Sequence, residues 1–242
     1  MYEREDSKLL EDQRKFMSLN ATLMYASKRT YPEISFAVVY LSSRYNKATE
    51  DDYAKAMRVA EYIVGSGENH GLVLSPKSLQ LVAKSVASYA EHADGKGHTG
   101  GAVGFESDYA CWFMWLSTNK QPVVALSTCE SELIATCTVG CAVEWARQFV
   151  QELGHAQGTI EIGVDNKCSI RLLEQGTGSF KRAKHIKVRF FWLKDLIDDG
   201  EIVLIYVPSE ELVADMLTKA TTGAKFKYLR GKLLGLREDD TY

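Results

Sequence analysis

Around Pro76 the hydrophobic period of the chain changes, and no single type of element can serve both patterns. Upstream, apolar residues recur at helical spacing. Leu23, Met24, Phe36, Val39, Tyr40 and Leu41 flank Tyr31-Pro32, which predicts two helices with Pro32 in the first turn of the second. Thr49, followed by acids, predicts the cap of a third helix that ends at Gly65 and Gly67. Residues 1–16 show no sustained apolar stripe and read as a frayed lead-in.

Downstream, the apolar residues alternate. Leu79 to Tyr89, Ala102 to Glu106 and Cys111 to Ser117 read as an antiparallel meander of three strands. A long helix from Ser127-Thr128 to Gly154 follows, with Leu133, Ile134, Cys137, Cys141, Trp145 and Phe149 on one stripe. Then come a strand from Thr159 to Val164, a short helix, and a Gly/Ser break at 176–179. A basic helix from about Ala183 to Asp199 and a strand from Glu201 to Val207 follow, and helices over Glu210 to Lys219 and Ala224 to Leu234 close the chain. This order predicts an α/β (α+β) unit behind a small helical region.

Composition removes several alternatives. With 45% hydrophobic residues the chain carries a core, and no window approaches the ~18–20 apolar residues of a membrane span. Its charged start is unlike a secretion signal, so an intracellular protein without a membrane partner is expected. Five cysteines without a CxxC pair read as free thiols. A net charge of -3 leaves any attraction for phosphate to local patches. The segment Lys181, Arg182, Lys184, His185, Lys187 and Arg189 is one, readable as a solvated face or as contact with a nucleic-acid backbone, and Lys225, Lys227, Arg230 and Lys232 could extend it.

Three acids sit where strands end or helices begin: Glu132, Asp165 and Asp215. Carboxylates gathered at one sheet edge repel one another unless a hard divalent cation lies among them, and two such ions support phosphodiester hydrolysis. Glu132 could equally be a partner of the helix dipole.

The words around these acids carry more. SLNATLMYASKRTYPEISFAVVYLSSRYN, KQPVVALSTCESELIA, VDNKCSI and RAKHIKVRFFWLKDLIDDGEIVLIYVPSEELVADMLTKA, in that order, resemble the end of the polyprotein of copia-type long-terminal-repeat retrotransposons over roughly residues 18 to 236. The likeness is to the last part of a reverse transcriptase followed by a ribonuclease H domain. It implies a ribonuclease H fold, a mixed five-stranded sheet with helices. The implied activity is cutting the RNA strand of an RNA/DNA hybrid with two Mg²⁺ or Mn²⁺ ions. The implied layout is a reverse-transcriptase-like region at 1–76, a ribonuclease H-like domain at 77–220 and a C-terminal helix and tail at 221–242, with the remainder of a polyprotein as a partner and a cytoplasmic particle or the nucleus as its place. The family's acids fall on Glu132 rather than Glu130, on Asp165 and on Asp215, as catalytic and metal-binding residues. His185 matches its lysine-histidine-isoleucine word, in a structural or substrate-facing role. The N-terminal region lacks a polymerase aspartate pair, so DNA synthesis is not expected.

The resemblance breaks at a fourth acid. VASYAEHADGKGHTGG aligns without gaps and puts Val86 where such domains carry a metal-bridging aspartate. Valine cannot ligate metal. Ser88, Glu91 and Asp94 are the nearby substitutes. The expectation is weak metal binding and slow or absent hydrolysis. Two classes therefore stay open: an impaired ribonuclease H, and an inactive hybrid-binding or scaffolding remnant. Elsewhere, GKGHTGG reads as a turn, His92 and His98 lack the compact ligand pairs of a zinc site, and Cys137, Cys141, Trp112, Trp115, Trp145 and Trp192 read as core.

Overall fold

The computed structural model describes residues 6–67, 70–105, 112–175 and 184–236, without the side chains of 112 and 184–187. The chain divides into two compact units, Met1–Leu72 and Val73–Tyr242. Among the described residues no helix is long and apolar enough to cross a membrane.

The first unit is helical: α1 (Gln13–Ser27), a 3₁₀ turn (Pro32–Ile34), α2 (Ser35–Ser42) and α3 (Glu50–Ser66). Pro32 opens the 3₁₀ turn rather than α2 itself. Thr49 and Asp52 form a reciprocal capping box, and Arg44 Nε reaches the same Asp52 carboxylate at 3.2 Å. Phe16, Leu23, Ile34, Val38, Leu41, Ala48 and Ala56 make the core. Residues 7–16 are not a frayed lead-in. Phe16 is fully buried, Leu9 bridges to Thr49, and the Gln13 side-chain amide bonds both the N–H and the C=O of Ala48. Polar tethers hold this segment, which is why an apolar stripe did not announce it.

The second unit is built on a mixed sheet of five strands in the order β3-β2-β1-β4-β5, with β1 (Leu81–Ser88), β2 (His98–Phe105), β3 (Trp112–Lys120), β4 (Ile160–Val164) and β5 (Ile202–Tyr206). The hairpin-linked β1, β2 and β3 pair antiparallel, whereas β4 joins β1 and β5 joins β4 in parallel. Between them lie α4 (Thr128–Glu152), α5 (Lys167–Gln175) and α6 (Lys184–Asp198), and after β5 a 3₁₀ turn (Val213–Leu217) and α7 (Gly223–Leu234). The expected helix over Glu210 to Lys219 is this shorter 3₁₀ turn. Ser127 caps α4, its hydroxyl accepting from Glu130 N.

The main core lies between the sheet and α4, α5 and α6. Only the first part of the expected α4 stripe is inside: Leu133, Ile134 and Cys137 are buried, but Cys141, Trp145 and Phe149 are exposed. The inward line continues through Val139, Val143, Ala146 and Val150. These are smaller residues, and the weight of the aromatic pair drew the expected stripe to the wrong side. Trp145 and Phe149 instead stack on each other at 5.8 Å. Trp115 and Trp192 pack half-buried against the core. The described cysteines are free, and Cys111 and the side chain of Trp112 lie outside the described residues.

β2 is buried along its whole length, covered on both faces. Alternate residues of a strand face opposite sides, and two successive glycines serve the two layers. A Cβ on Gly101 would meet Val139 Cγ2 of α4 at 2.6 Å, and one on Gly100 would meet Ala214 O and Thr218 Cγ2 at 2.7 Å. The layer over Gly100 includes backbone, which cannot swing away. Gly100→Ala is therefore expected to destabilise the chain by about 1–3 kcal/mol, whereas Gly158→Ala, whose Cβ finds its nearest neighbour at 3.6 Å, should stay within about 0.5 kcal/mol. Urea unfolding of both variants checks this, and equal midpoints would show that the packing is looser than described.

Candidate active site

One end of the sheet gathers the three acids. Glu132 lies in the second turn of α4, whose N-terminal part rests on β1. It is 5% exposed, and its Oε1 accepts from the backbone N–H of Ala87 at 3.0 Å. Glu130 has turned away: its Oε2 accepts from Leu126 N, at the exposed start of the helix. Glu132 is thus buried against β1, while the Glu130 side chain stays at the start of the helix.

Asp165 follows β4. The parallel register sets Ser85 opposite Val164, so the next step brings Asp165 level with Val86. Its Oδ2 accepts from the Ser209 hydroxyl at 2.8 Å. Asp215 sits in the 3₁₀ turn and is fully buried. Lys219 Nζ lies 2.7 Å from its Oδ1 and Lys225 Nζ 2.5 Å from its Oδ2.

The proximity of the three is felt most by Glu132. Burial, then the charge of Asp165, a hydrogen bond with Asp165 and the charge of Asp215 push its carboxyl up to about 9, against the opposing pull of the Ala87 N–H. At neutral pH Glu132 is then protonated. Its other oxygen, Oε2, is buried without a hydrogen-bond partner, and a proton there would give it a donor to share with Asp165.

The 3₁₀ turn carrying Asp215 is fixed from below by β1, β2 and β3. Ser88 Oγ donates to Thr218 O at 3.2 Å, and Thr118 Oγ1 donates to Leu217 O at 2.6 Å. Thr118 also meets His98 Nε2 at 2.7 Å, and His98 Nδ1 meets His92 Nε2 at 2.9 Å. Burial, with the charges of His92 and Lys120, lowers His98 to about 3, so this ring is neutral and can pass one hydrogen bond in and one out. The two histidines are thus a strut.

Val86 is 2% exposed within an apolar cluster of Leu212, Ala214 and Leu217, flanked by Leu116 and Val207. Of the substitute ligands, Ser88 is committed to Thr218, and Asp94 is paired with Lys120 at 2.8 Å. The implied pair of divalent ions finds a poor donor set here. Three carboxylates remain, the position expected to bridge both ions is aliphatic, and both oxygens of Asp215 face ammonium groups. Among the described residues no three His, Cys, Asp or Glu side chains stand in a geometry that could hold a metal ion. The raised Glu132 does not weigh in this test, because any cation entering would relieve it.

Lys219 and Ser209 were missed by sequence reasoning, although Lys219 stands four residues after Asp215, a spacing that brings opposite charges together. Lys225, expected as part of a phosphate-binding face, is turned to Asp215. Of the basic segment, Lys181 and Arg182 lie outside the described residues. Lys184, His185 and Lys187 fall in the first turn of α6, with side chains outside them too.

No family model matches the chain. It is 28% identical over 225 residues, 93% of its length, to the retrovirus-related Pol polyprotein from transposon TNT 1-94 of Nicotiana tabacum. It is 25% identical over the same length to the corresponding polyprotein from transposon RE1 of Arabidopsis thaliana. It spans only 16% and 15% of those polyproteins. Its homologues are thus Pol polyproteins of copia-type plant transposons. Among solved structures it is similar to the foamy viral protease-reverse transcriptase in complex with an RNA/DNA hybrid, with a TM-score of 0.52 and 13% identity over 91% of this chain and 27% of that one. LC11-RNase H1 in complex with an RNA/DNA hybrid covers 57% of this chain and 94% of its own, at a TM-score of 0.43 and 15% identity. The fold of the second unit is a mixed five-stranded sheet with flanking helices.

The state of Glu132 gives a pH dependence. Its folded value, about 9, lies above its ordinary 4.5, so the native protein holds a proton that the unfolded chain releases. The associated stability is fully present below about pH 4.5 and is lost as pH rises toward 9. Glu132→Gln, which mimics the protonated form, is expected to gain on the wild type across that window. Thermal unfolding in EDTA from about pH 5 to 9 reads the difference, and parallel curves would mean that Glu132 is ionised in the fold.

Proposed function

We propose that this chain is the ribonuclease H-type segment of a copia-type retrotransposon Pol polyprotein, one that engages an RNA/DNA hybrid but hydrolyses it slowly or not at all. Supporting the first part is the meeting of Glu132, Asp165 and Asp215 at one end of a ribonuclease H-like sheet, in a chain whose relatives are retrovirus-related Pol polyproteins. Supporting the second is Val86. It stands level with Asp165 and packs with Leu212, Ala214 and Leu217 where a ligand for both ions would be required. This observation carries the reading.

In such a domain each residue has a definite part. Glu132, held by the Ala87 N–H, and Asp165, held by Ser209, would face the scissile region of the hybrid, with Asp215 presented from the covering turn. The basic run at 181–187, together with Arg189, would lie along the backbone of the hybrid. Contacts to phosphates and 2′-hydroxyls give affinity with little sequence preference. The same Val86 environment favours a second reading, a binding or scaffolding remnant without any hydrolysis. Residues 1–76 would belong to the reverse-transcriptase side of the polyprotein, with 77–220 as the nuclease-like domain and 221–242 as its tail.

Cleavage of a labelled RNA/DNA hybrid in Mg²⁺ and in Mn²⁺ tests the proposal. Wild type is expected near background and Val86→Asp at least about tenfold faster. A wild type that cuts as fast as the variant ends the claim of impairment. No cleavage by either would leave the remnant reading. Binding of the hybrid in EDTA is a separate measure. Log affinity should fall linearly with log salt, and neutralising Lys181, Lys184 and Lys187 should make the slope shallower by about 0.7–0.9 for each phosphate that the variant no longer neutralises. An unchanged slope would place the hybrid elsewhere.

A further inference from the structure

We infer that Lys219 and Lys225 are the resident counter-cations of this acidic centre, standing where a divalent ion would and excluding it. The inference rests on the ribonuclease H-type reading of the site and goes beyond it, because it concerns what balances the carboxylates when an expected ligand is gone.

Asp215 has no exposed surface, yet both of its oxygens are within ion-pair distance of an ammonium, at 2.7 and 2.5 Å. The two lysines come from different directions. Lys219 follows the 3₁₀ turn and Lys225 stands in the first turn of α7, so the pairing does not depend on one flexible side chain. Their side chains are 43% and 36% exposed. The stems therefore run at the surface while the charged tips reach inward. One carboxylate answered by two ammonium groups has no negative charge left over.

A divalent ion entering here would need several hard oxygen ligands and would face two positive charges a few ångströms from its central ligand. It would gain nothing from position 86, where Val86 packs with Leu212, Ala214 and Leu217. The ammonium of lysine is itself a compact cation with three donors, suited to a site built around oxygens. Replacement of an acid by Val86 removes one negative charge and the lysines supply positive ones, so both changes shift the balance of the site in the same direction. Asp215 then becomes a tie between the 3₁₀ turn and α7. α7 packs on that turn through Val213, Met216, Leu229 and Leu233, and Lys225 adds an electrostatic bond to the same seam.

Mn²⁺ binding to the full chain, followed by electron paramagnetic resonance, together with thermal unfolding in EDTA and in millimolar Mn²⁺, tests this. Wild type is expected to bind no Mn²⁺ saturably and to melt at the same temperature in both media. Val86→Asp should bind weakly, and Val86→Asp with Lys219→Met and Lys225→Met at least about tenfold more tightly. Saturable sub-millimolar binding by wild type overturns the inference. So does equal affinity of Val86→Asp with and without its lysines. Circular dichroism and a cooperative melt establish that each variant folds. If the methionine pair does not, Lys219→Gln and Lys225→Gln take its place, and the wild-type measurement stands without any variant. Hybrid binding in EDTA separates the two levels. A chain that binds neither Mn²⁺ nor hybrid keeps this inference and loses the functional reading, while one that binds both does the reverse.

Discussion

Negative charge held out of water at one end of the sheet is the constraint around which the second unit is arranged. Asp215 has no exposure and Glu132 has 5%, and isolated ionised carboxylates in such surroundings would be costly. The chain offsets this cost differently at each position. Glu132 is pushed toward its neutral form and accepts a backbone N–H, Asp165 takes a hydroxyl, and Asp215 takes two ammonium groups. The result is a site in which the polar groups answer one another, so that the neighbouring aliphatic cluster around Val86 can close over them.

That closure depends on how near the covering turn can come. Two glycines in β2 let α4 approach from one face and the turn 213–217 from the other. The turn is then held by Ser88, by Thr118 and, through Thr118, by the histidine pair. Placement of Asp215 is therefore decided by residues far away in sequence on β1, β2 and β3, none of which is acidic.

Much of this was legible in the sequence. The alternating runs before and after a long capped helix gave the order of strands, and the Thr49 and Ser127 caps located two helix starts. The acids Glu132, Asp165 and Asp215 could be singled out because each lies at an element boundary, and Val86 because a gapless run of sixteen residues fixed its register. The errors share one cause. Side-chain size and apolar content point to Cys141, Trp145 and Phe149 as the inner stripe of α4 and leave residues 7–16 without an anchor, and neither property measures burial. In the structure small residues line the inner side and polar tethers supply the anchor.

The sequence by itself determined the kinds of elements, their order, and which chemical groups stand at their ends, since these follow from local periodicity, capping and turn residues. Only the tertiary structure decided that Glu132 accepts from the Ala87 N–H, that Lys219 and Lys225 converge on one carboxylate, and that Val86 is sealed in an aliphatic cluster. The reason is physical. Charge balance and burial depend on distances between residues remote along the chain, and no local pattern encodes a distance that arises only when the layers pack.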